Sequence, residues 1–167
     1  SPGVAAVAID VVFIDANPKP SKLYWDPAKP YSPNSIDPPL CWSDNGVGPS
    51  YLSVQPQSPT CQACPHNVIG SAVSKFSGAS IRACGDSKKL ACVIPGDADG
   101  MVYLMQIKPG SFKNWSSYIN WLKSQKLATG GIPELFDVVT RLTFESQGVL
   151  KFDPVSAVAV LVLGRQP

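Results

Sequence analysis

Residues 89–124 read KLACVIPGDADGMVYLMQIKPGSFKNWSSYINWLKS. Two strand-like runs, Lys89–Ile94 and Met101–Ile107, flank Pro95-Gly-Asp-Ala-Asp-Gly100, and turn chemistry between two short apolar runs predicts a hairpin. Asp97 and Asp99 then belong to its tip rather than to a hard-cation site. Ser111 stands where a helix N-cap belongs, and Phe112, Trp115, Ile119 and Leu122 recur at spacings of three and four. A helix ending near Ser124, with one packed apolar face, is the consequence.

Outward from this stretch, Val4–Ile14 (VAAVAIDVVFI) is rich in β-branched residues and reads as a long first strand, stopped by Asp15-Ala-Asn-Pro-Lys-Pro. A short strand is expected at Lys22–Trp25. On the other side, Gly130-Gly131 breaks the chain before a buried strand at Leu135–Phe144. Gln147-Gly148 turns into Val149–Phe152, and Ala157–Leu163 (AVAVLVL) reads as a last buried strand. The prediction is a mainly β fold with one helix. With the helix between the third and fourth strands, the order fits an OB-like five-stranded antiparallel barrel formed by Val4–Ile14, Lys89–Ile94, Met101–Ile107, Leu135–Phe144 and the C-terminal run. Another small antiparallel barrel, or an α+β sheet with one helix, fits the same pattern. The chain 1–167 is expected to be one domain, with a proline- and cysteine-rich insertion at about 21–87 between the first two strands.

That insertion accounts for the unusual composition. Of 167 residues, 44% are hydrophobic and 16% charged, which suits a folded core, yet 17 are proline and 12 of these lie in the first 67. Proline fixes φ and has no N–H, so this region must be largely irregular. It is not a flexible linker, because Tyr24, Trp25, Tyr31, Trp42 and Tyr51 are spaced along it. Irregular chain cannot bury its backbone cheaply, so a metal, a crosslink or a partner is needed to hold it.

The cysteines supply one answer. Cys41-x19-Cys61-x2-Cys64-x19-Cys84 brackets the irregular region, with Cys92 left over in an apolar strand as a core thiol. A CxxC bend presents two sulfurs on one side, and two distant cysteines complete the tetrahedron that zinc favours with sulfur ligands. Such a closed site is structural, with no open position for catalysis. Free buried thiols and a redox CxxC are the other readings, the latter disfavoured because Cys61-Gln-Ala-Cys64-Pro65 opens no helix in a βαβ setting. The odd count argues against a disulfide framework. His66, the single histidine, is a fallback ligand.

Net charge is +2, but it divides unevenly: residues 68–126 carry eight bases against three acids, whereas the segments before and after sum to −2 and −1. The basic middle fits either a solvated surface or a polyanion site. No phosphate-binding glycine loop, HExxH or GxSxG is present, which points away from an enzyme. A weaker reading uses Asp10 and Asp15 as ligands of a metal-dependent nuclease. No run of roughly 18 to 20 apolar residues is present, so a soluble, unsecreted chain without membrane association is expected.

Three segments together resemble a family of tailed-phage proteins: Pro38-Pro39-Leu-Cys41-Trp42-Ser; Gln57-Ser-Pro-Thr-Cys61-Gln-Ala-Cys64-Pro65-His-Asn67-Val-Ile-Gly70-Ser71; and Ala83-Cys84-Gly-Asp86-Ser-Lys88-Lys89-Leu90-Ala91. The similarity continues through Ser111-Phe-Lys113-Asn114-Trp115-x2-Tyr118 and Val138–Phe144, and covers roughly residues 9–152. It implies a single-stranded-DNA-binding role in replication or recombination, an OB-like barrel, phage replication proteins as partners, and the cytoplasm of an infected bacterium as the setting. The last residues, Arg165-Gln166-Pro167, carry no acidic tail of the kind phage single-strand binders often use to recruit such partners. Binding of this type needs exposed rings and cations. The candidates are Trp25, Tyr31, Lys88 and Lys89, then Lys22, Arg82, Trp42 and Tyr24, in a monomer or homodimer. A zinc-stabilised adaptor that regulates a phage or host polymerase is the alternative.

Overall fold

The computed structural model describes residues 8–29, 32, 34–145 and 148–158. Its strands are β1 (Ile9–Ala16), β2 (Ser21–Tyr24), β3 (Cys41–Ser43), β4 (Ala72–Val73), β5 (Ser80–Ile81), β6 (Cys84–Val93), β7 (Val102–Ile107), β8 (Val138–Phe144) and β9 (Leu150–Ala157), and the helix α1 (Phe112–Ser124) lies between β7 and β8. The protein is therefore mainly β with one helix. Where the sequence suggests one domain with an insertion, the chain divides into two compact units: residues 1–16 with 89–167, and residues 17–88. The first half of β6 pairs with β2 in the second unit, and its last four residues pair with β1 in the first.

In the first unit the strand order is β7-β6-β1-β8-β9. The β6–β1, β1–β8 and β8–β9 pairs are antiparallel. The predicted hairpin forms between β6 and β7, closed by the Asp97 N–H on the Ile94 carbonyl at 3.1 Å and the Gly100 N–H on the Asp97 carbonyl at 3.2 Å. Among the described residues β7 and β9 are not paired, so the sheet is not a closed barrel. It is nonetheless concave: Val11, Cys92, Met105, Leu142 and Leu150, one from each strand, line a single cavity of about 660 Å³.

The core of this unit is aromatic. Phe13 from β1, Trp115 from α1 and Phe152 from β9 meet with ring centroids 5.1, 5.3 and 6.0 Å apart, and Leu90, Cys92 and Ile107 pack with them. The predicted stripe on α1 is rotated slightly: Trp115, Tyr118 and Leu122 are buried, and Phe112 and Ile119 are half-buried. Tyr118 has a polar purpose, since its hydroxyl lies 2.6 Å from that of fully buried Thr140. Burial pushes the Tyr118 hydroxyl pKa up, against the lowering effect of that hydrogen bond. Ser111 does not cap α1 with its side chain; its hydroxyl accepts the Leu150 N–H at 3.0 Å and so joins the helix start to β9.

Other boundaries shift for local reasons. Leu135–Asp137 forms a 3-10 turn, with the Asp137 carboxylate accepting the Glu134 N–H at 2.8 Å, so β8 begins only at Val138. β9 runs on past Phe152 to Ala157, and Pro154 is tolerated because a register shift at Val139/Thr140 interrupts the ladder beside it. Residues 4–7 of the predicted first strand and 159–163 of the predicted last one lie outside the described residues. Arg141 and Asp10, cross-strand partners, form a two-pronged ion pair at 2.8 and 2.9 Å. That guanidinium holds the Asp10 carboxyl below its ordinary pKa. Asp15 is bonded to the Ala16 N–H. Both aspartates thus have partners within the protein.

Truncating the central ring tests this packing. Phe13→Ala is expected to lower stability by about 3–5 kcal/mol, because it removes the shared contact of two other rings. Urea unfolding followed by tryptophan fluorescence measures it, and a loss below about 1 kcal/mol contradicts the described core.

Candidate metal centre

The second unit is organised on β2, four residues long, with β3 on one side and the start of β6 on the other. Its register places Tyr24 opposite Cys41 on β3 and opposite Cys84 on β6. Cross-strand partners project to the same face of a sheet, so this one register turns two cysteines the same way. The turn that follows β3 is tight. Gly46 sits at φ +70°, and a Cβ there would come within 2.8 Å of the Pro20 carbonyl oxygen, so only glycine fits.

The other two cysteines come from a bend that backbone and side chains fix together. The Cys61 N–H donates to the Val47 carbonyl at 2.9 Å, the Cys64 N–H reaches the Cys61 carbonyl at 3.4 Å, and Pro65 opens a one-turn 3-10 segment, Pro65–Asn67. Asn67 closes the bend by donating from Nδ2 to the Cys61 carbonyl at 2.8 Å.

All four thiols, Cys41, Cys61, Cys64 and Cys84, line one small cavity of about 20 Å³, together with Lys22, Tyr24, Trp42 and Asn67. That space suits a single water-sized or ion-sized occupant. None of the four is in a disulfide. Among the described residues, no group of three or more His, Cys, Asp or Glu side chains stands as a ready-made metal cage. What the fold supplies is four soft donors around one ion-sized space. Burial pushes the Cys84 thiol up to about 11; Lys22 acts against this, and the neighbouring thiols add to it. Cys92 is apart from the cluster, buried in the core of the first unit.

One polar network ties β2 to this bend. Lys22 and Asp86 are direct cross-strand partners and form an ion pair. The Lys22 ammonium also donates to Asn67 Oδ1 at 2.8 Å, and Arg82 approaches Asp86 at 3.6 Å. Asn67 and Asp86 thus support the cysteine site. Asn67 and Asp86 both stand in the cysteine-bearing segments quoted from the sequence, but nothing there marks either one as a support for the site.

The residues proposed for DNA contact separate into two groups. Tyr24 is buried and stacks on His66, with centroids 4.2 Å apart, which directs the imidazole to the ring; His66 is not among the cavity residues. Trp42 is half-buried against the same cavity. Lys22 and Arg82 face Asp86, and Lys88 is half-buried, donating to the Asn17 carbonyl at 2.7 Å, with its pKa lowered by burial. Lys89 is half-buried, and Tyr31 lies outside the described residues. Trp25 is open to solvent, at 54% exposure. Tyr51 at 92% and Phe76 at 103% are more open still, and Phe76 was not picked out by the sequence because one phenylalanine among serines and glycines has no period to betray it.

The Lys22–Asp86 pair gives a direct test. Lys22→Met keeps the stem but leaves the half-buried Asp86 carboxylate with only the more distant Arg82, and Asn67 Oδ1 without its Lys22 donor, so a loss of about 1–3 kcal/mol is expected. Adding Asp86→Asn should cost less than the two single changes summed, and strict additivity in urea unfolding would show that the pair is not coupled.

Comparison with protein-family models, with curated proteins and with solved structures finds no match to this chain.

Proposed function

We propose that this protein is a non-catalytic binder of single-stranded DNA, tolerant of sequence, whose second unit is held by a structural zinc ion on Cys41, Cys61, Cys64 and Cys84. The observation that carries the DNA reading is the strand order of the first unit. β7-β6-β1-β8-β9, with α1 between β7 and β8, is the third-second-first-fourth-fifth order of an OB sheet, a fold used repeatedly for oligonucleotides. The concave cavity shared by all five strands supports an OB-like curvature. Exposed Trp25 and Tyr51 supply flat faces for stacking, and the resemblance to tailed-phage proteins supplies the setting: DNA replication or recombination in the cytoplasm of an infected bacterium, beside phage replication proteins. For the metal, four thiols around an ion-sized cavity fit zinc, whose binding supplies folding free energy to chain that lacks a core.

A second reading has its own support. Ile36, Val47, Leu52, Val54, Val68 and Ile69 are all exposed in the second unit, which suits a protein-contact surface and hence an adaptor for a phage or host polymerase. Capture of a purified polymerase with no affinity for oligonucleotide would favour it.

Two measurements decide between these. Titration with an oligothymidylate should quench tryptophan emission, and the affinity should fall about twentyfold between 50 and 200 mM salt if roughly three phosphates are neutralised. Absence of salt-sensitive quenching removes the DNA reading. Elemental mass spectrometry of the purified chain should find about one zinc, and chelation should loosen the second unit; a metal-free, equally stable protein removes the zinc.

A further inference from the structure

The strands β4 and β5 form a two-stranded hairpin, with Ala72 opposite Ile81 and Val73 opposite Ser80, and its tip is unusually well fixed for so short an element. Ser74 accepts the N–H groups of Phe76 and Ser77 on its hydroxyl at 3.3 and 3.2 Å, and accepts the Gly78 N–H on its carbonyl at 2.9 Å. Its own N–H donates to the Ala79 carbonyl at 2.8 Å, and Gly78 takes the positive φ of +68° that closes the turn. The base is fastened as well: the Ser71 hydroxyl donates to the His66 and Val68 carbonyls and accepts the Ala83 N–H at 3.0 Å. A tip with this many hydrogen bonds holds one orientation, and what it presents is the fully exposed ring of Phe76 beside the exposed cation Lys75.

Residues 68–83 carry Lys75 and Arg82 and no acidic residue. The residues next to the ring at the tip, Ser74, Ser77, Gly78, Ala79 and Ser80, are small, and the exposed apolar side chains of the hairpin, Val73 and Ile81, lie back along its strands. A protein anchor is normally surrounded by contacts that exclude water. A nucleobase needs only one flat face, with a cation nearby for the adjoining phosphate. We propose that the β4–β5 hairpin is a base-stacking finger for single-stranded DNA, with Phe76 as the platform and Lys75 as the phosphate contact. This inference rests on the single-strand reading and deepens it, since it names a contact that the strand order of the first unit does not imply.

The test uses the full chain and an oligothymidylate. Phe76→Ala should weaken binding about five- to a hundredfold, and Phe76→Leu should weaken it nearly as much, because leucine keeps the apolarity and loses the flat π-face. Phe76→Trp should hold the native affinity. Lys75→Ala should reduce the slope of log affinity against log salt by about 0.7. The melting temperature should be unchanged in all four, since the ring packs against nothing. Native binding with an unaffected Phe76→Ala variant, or full rescue by leucine, overturns the finger and leaves the single-strand reading in place. No binding by the native chain overturns both.

Discussion

A four-residue strand, Ser21–Tyr24, carries the second unit, because it is the one element there paired on both edges among the described residues. Chain rich in proline cannot meet its backbone hydrogen-bonding needs by regular structure, so the few ladders it does form decide where everything else goes. Opposite Lys22 the ladder puts Asp86, and opposite Tyr24 it puts both Cys41 and Cys84. The ion pair and two of the four thiols therefore follow from one register. A slip of one residue would turn the cysteines to the other face and separate the charges. The bend at Cys61–Cys64 is attached to this ladder by a side-chain relay, Lys22 to Asn67 to the Cys61 carbonyl.

The elements of the first unit were legible where the chain is periodic or turn-bounded. The hairpin at Pro95–Gly100, the helix ending at Ser124 and the strand ending at Phe144 all follow from local chemistry. Where tertiary contacts decide, the sequence was a poorer guide. Tyr118 looks like a helix-surface residue until Thr140 is placed across from it, and Ser111 looks like a cap until Leu150 takes its hydroxyl. The length of β6 was hidden for a similar reason. Its first half, Cys84–Ser87, contains Gly and Asp and reads as loop, and it becomes strand because β2 is there to pair with it.

At the candidate metal centre the spacing of the cysteines was enough to select which thiols share a cavity and which one belongs to the core. Spacing says nothing, however, about the residues that hold the bend, because Asn67 and Asp86 act through long-range partners 45 and 64 positions from Lys22 along the chain. The aromatic residues divide by the same logic. Those on the paired strands, Tyr24 and Trp42, are used to build the unit, and those in its turns and loops, Trp25, Tyr51 and Phe76, are left facing water.

This division changes what the basic middle of the sequence can mean. In the sequence Lys22, Arg82 and Lys88 are all candidates for a polyanion site, the last two within the basic middle, yet in the folded chain the first two face the Asp86 carboxylate and the third is committed to a backbone carbonyl. A cation already desolvated and paired gains little from a phosphate, since it must give up one partner for another. Arg82 stays exposed beside Asp86, and the other exposed cations of the basic middle are Lys75 on the hairpin tip of the second unit, and Lys108, Lys113, Lys123 and Lys126 before, along and after α1 in the first. If phosphate contacts drive association, the salt dependence of binding should reside in these lysines. The cysteine-flanking cations then serve to fold the unit that displays the rings.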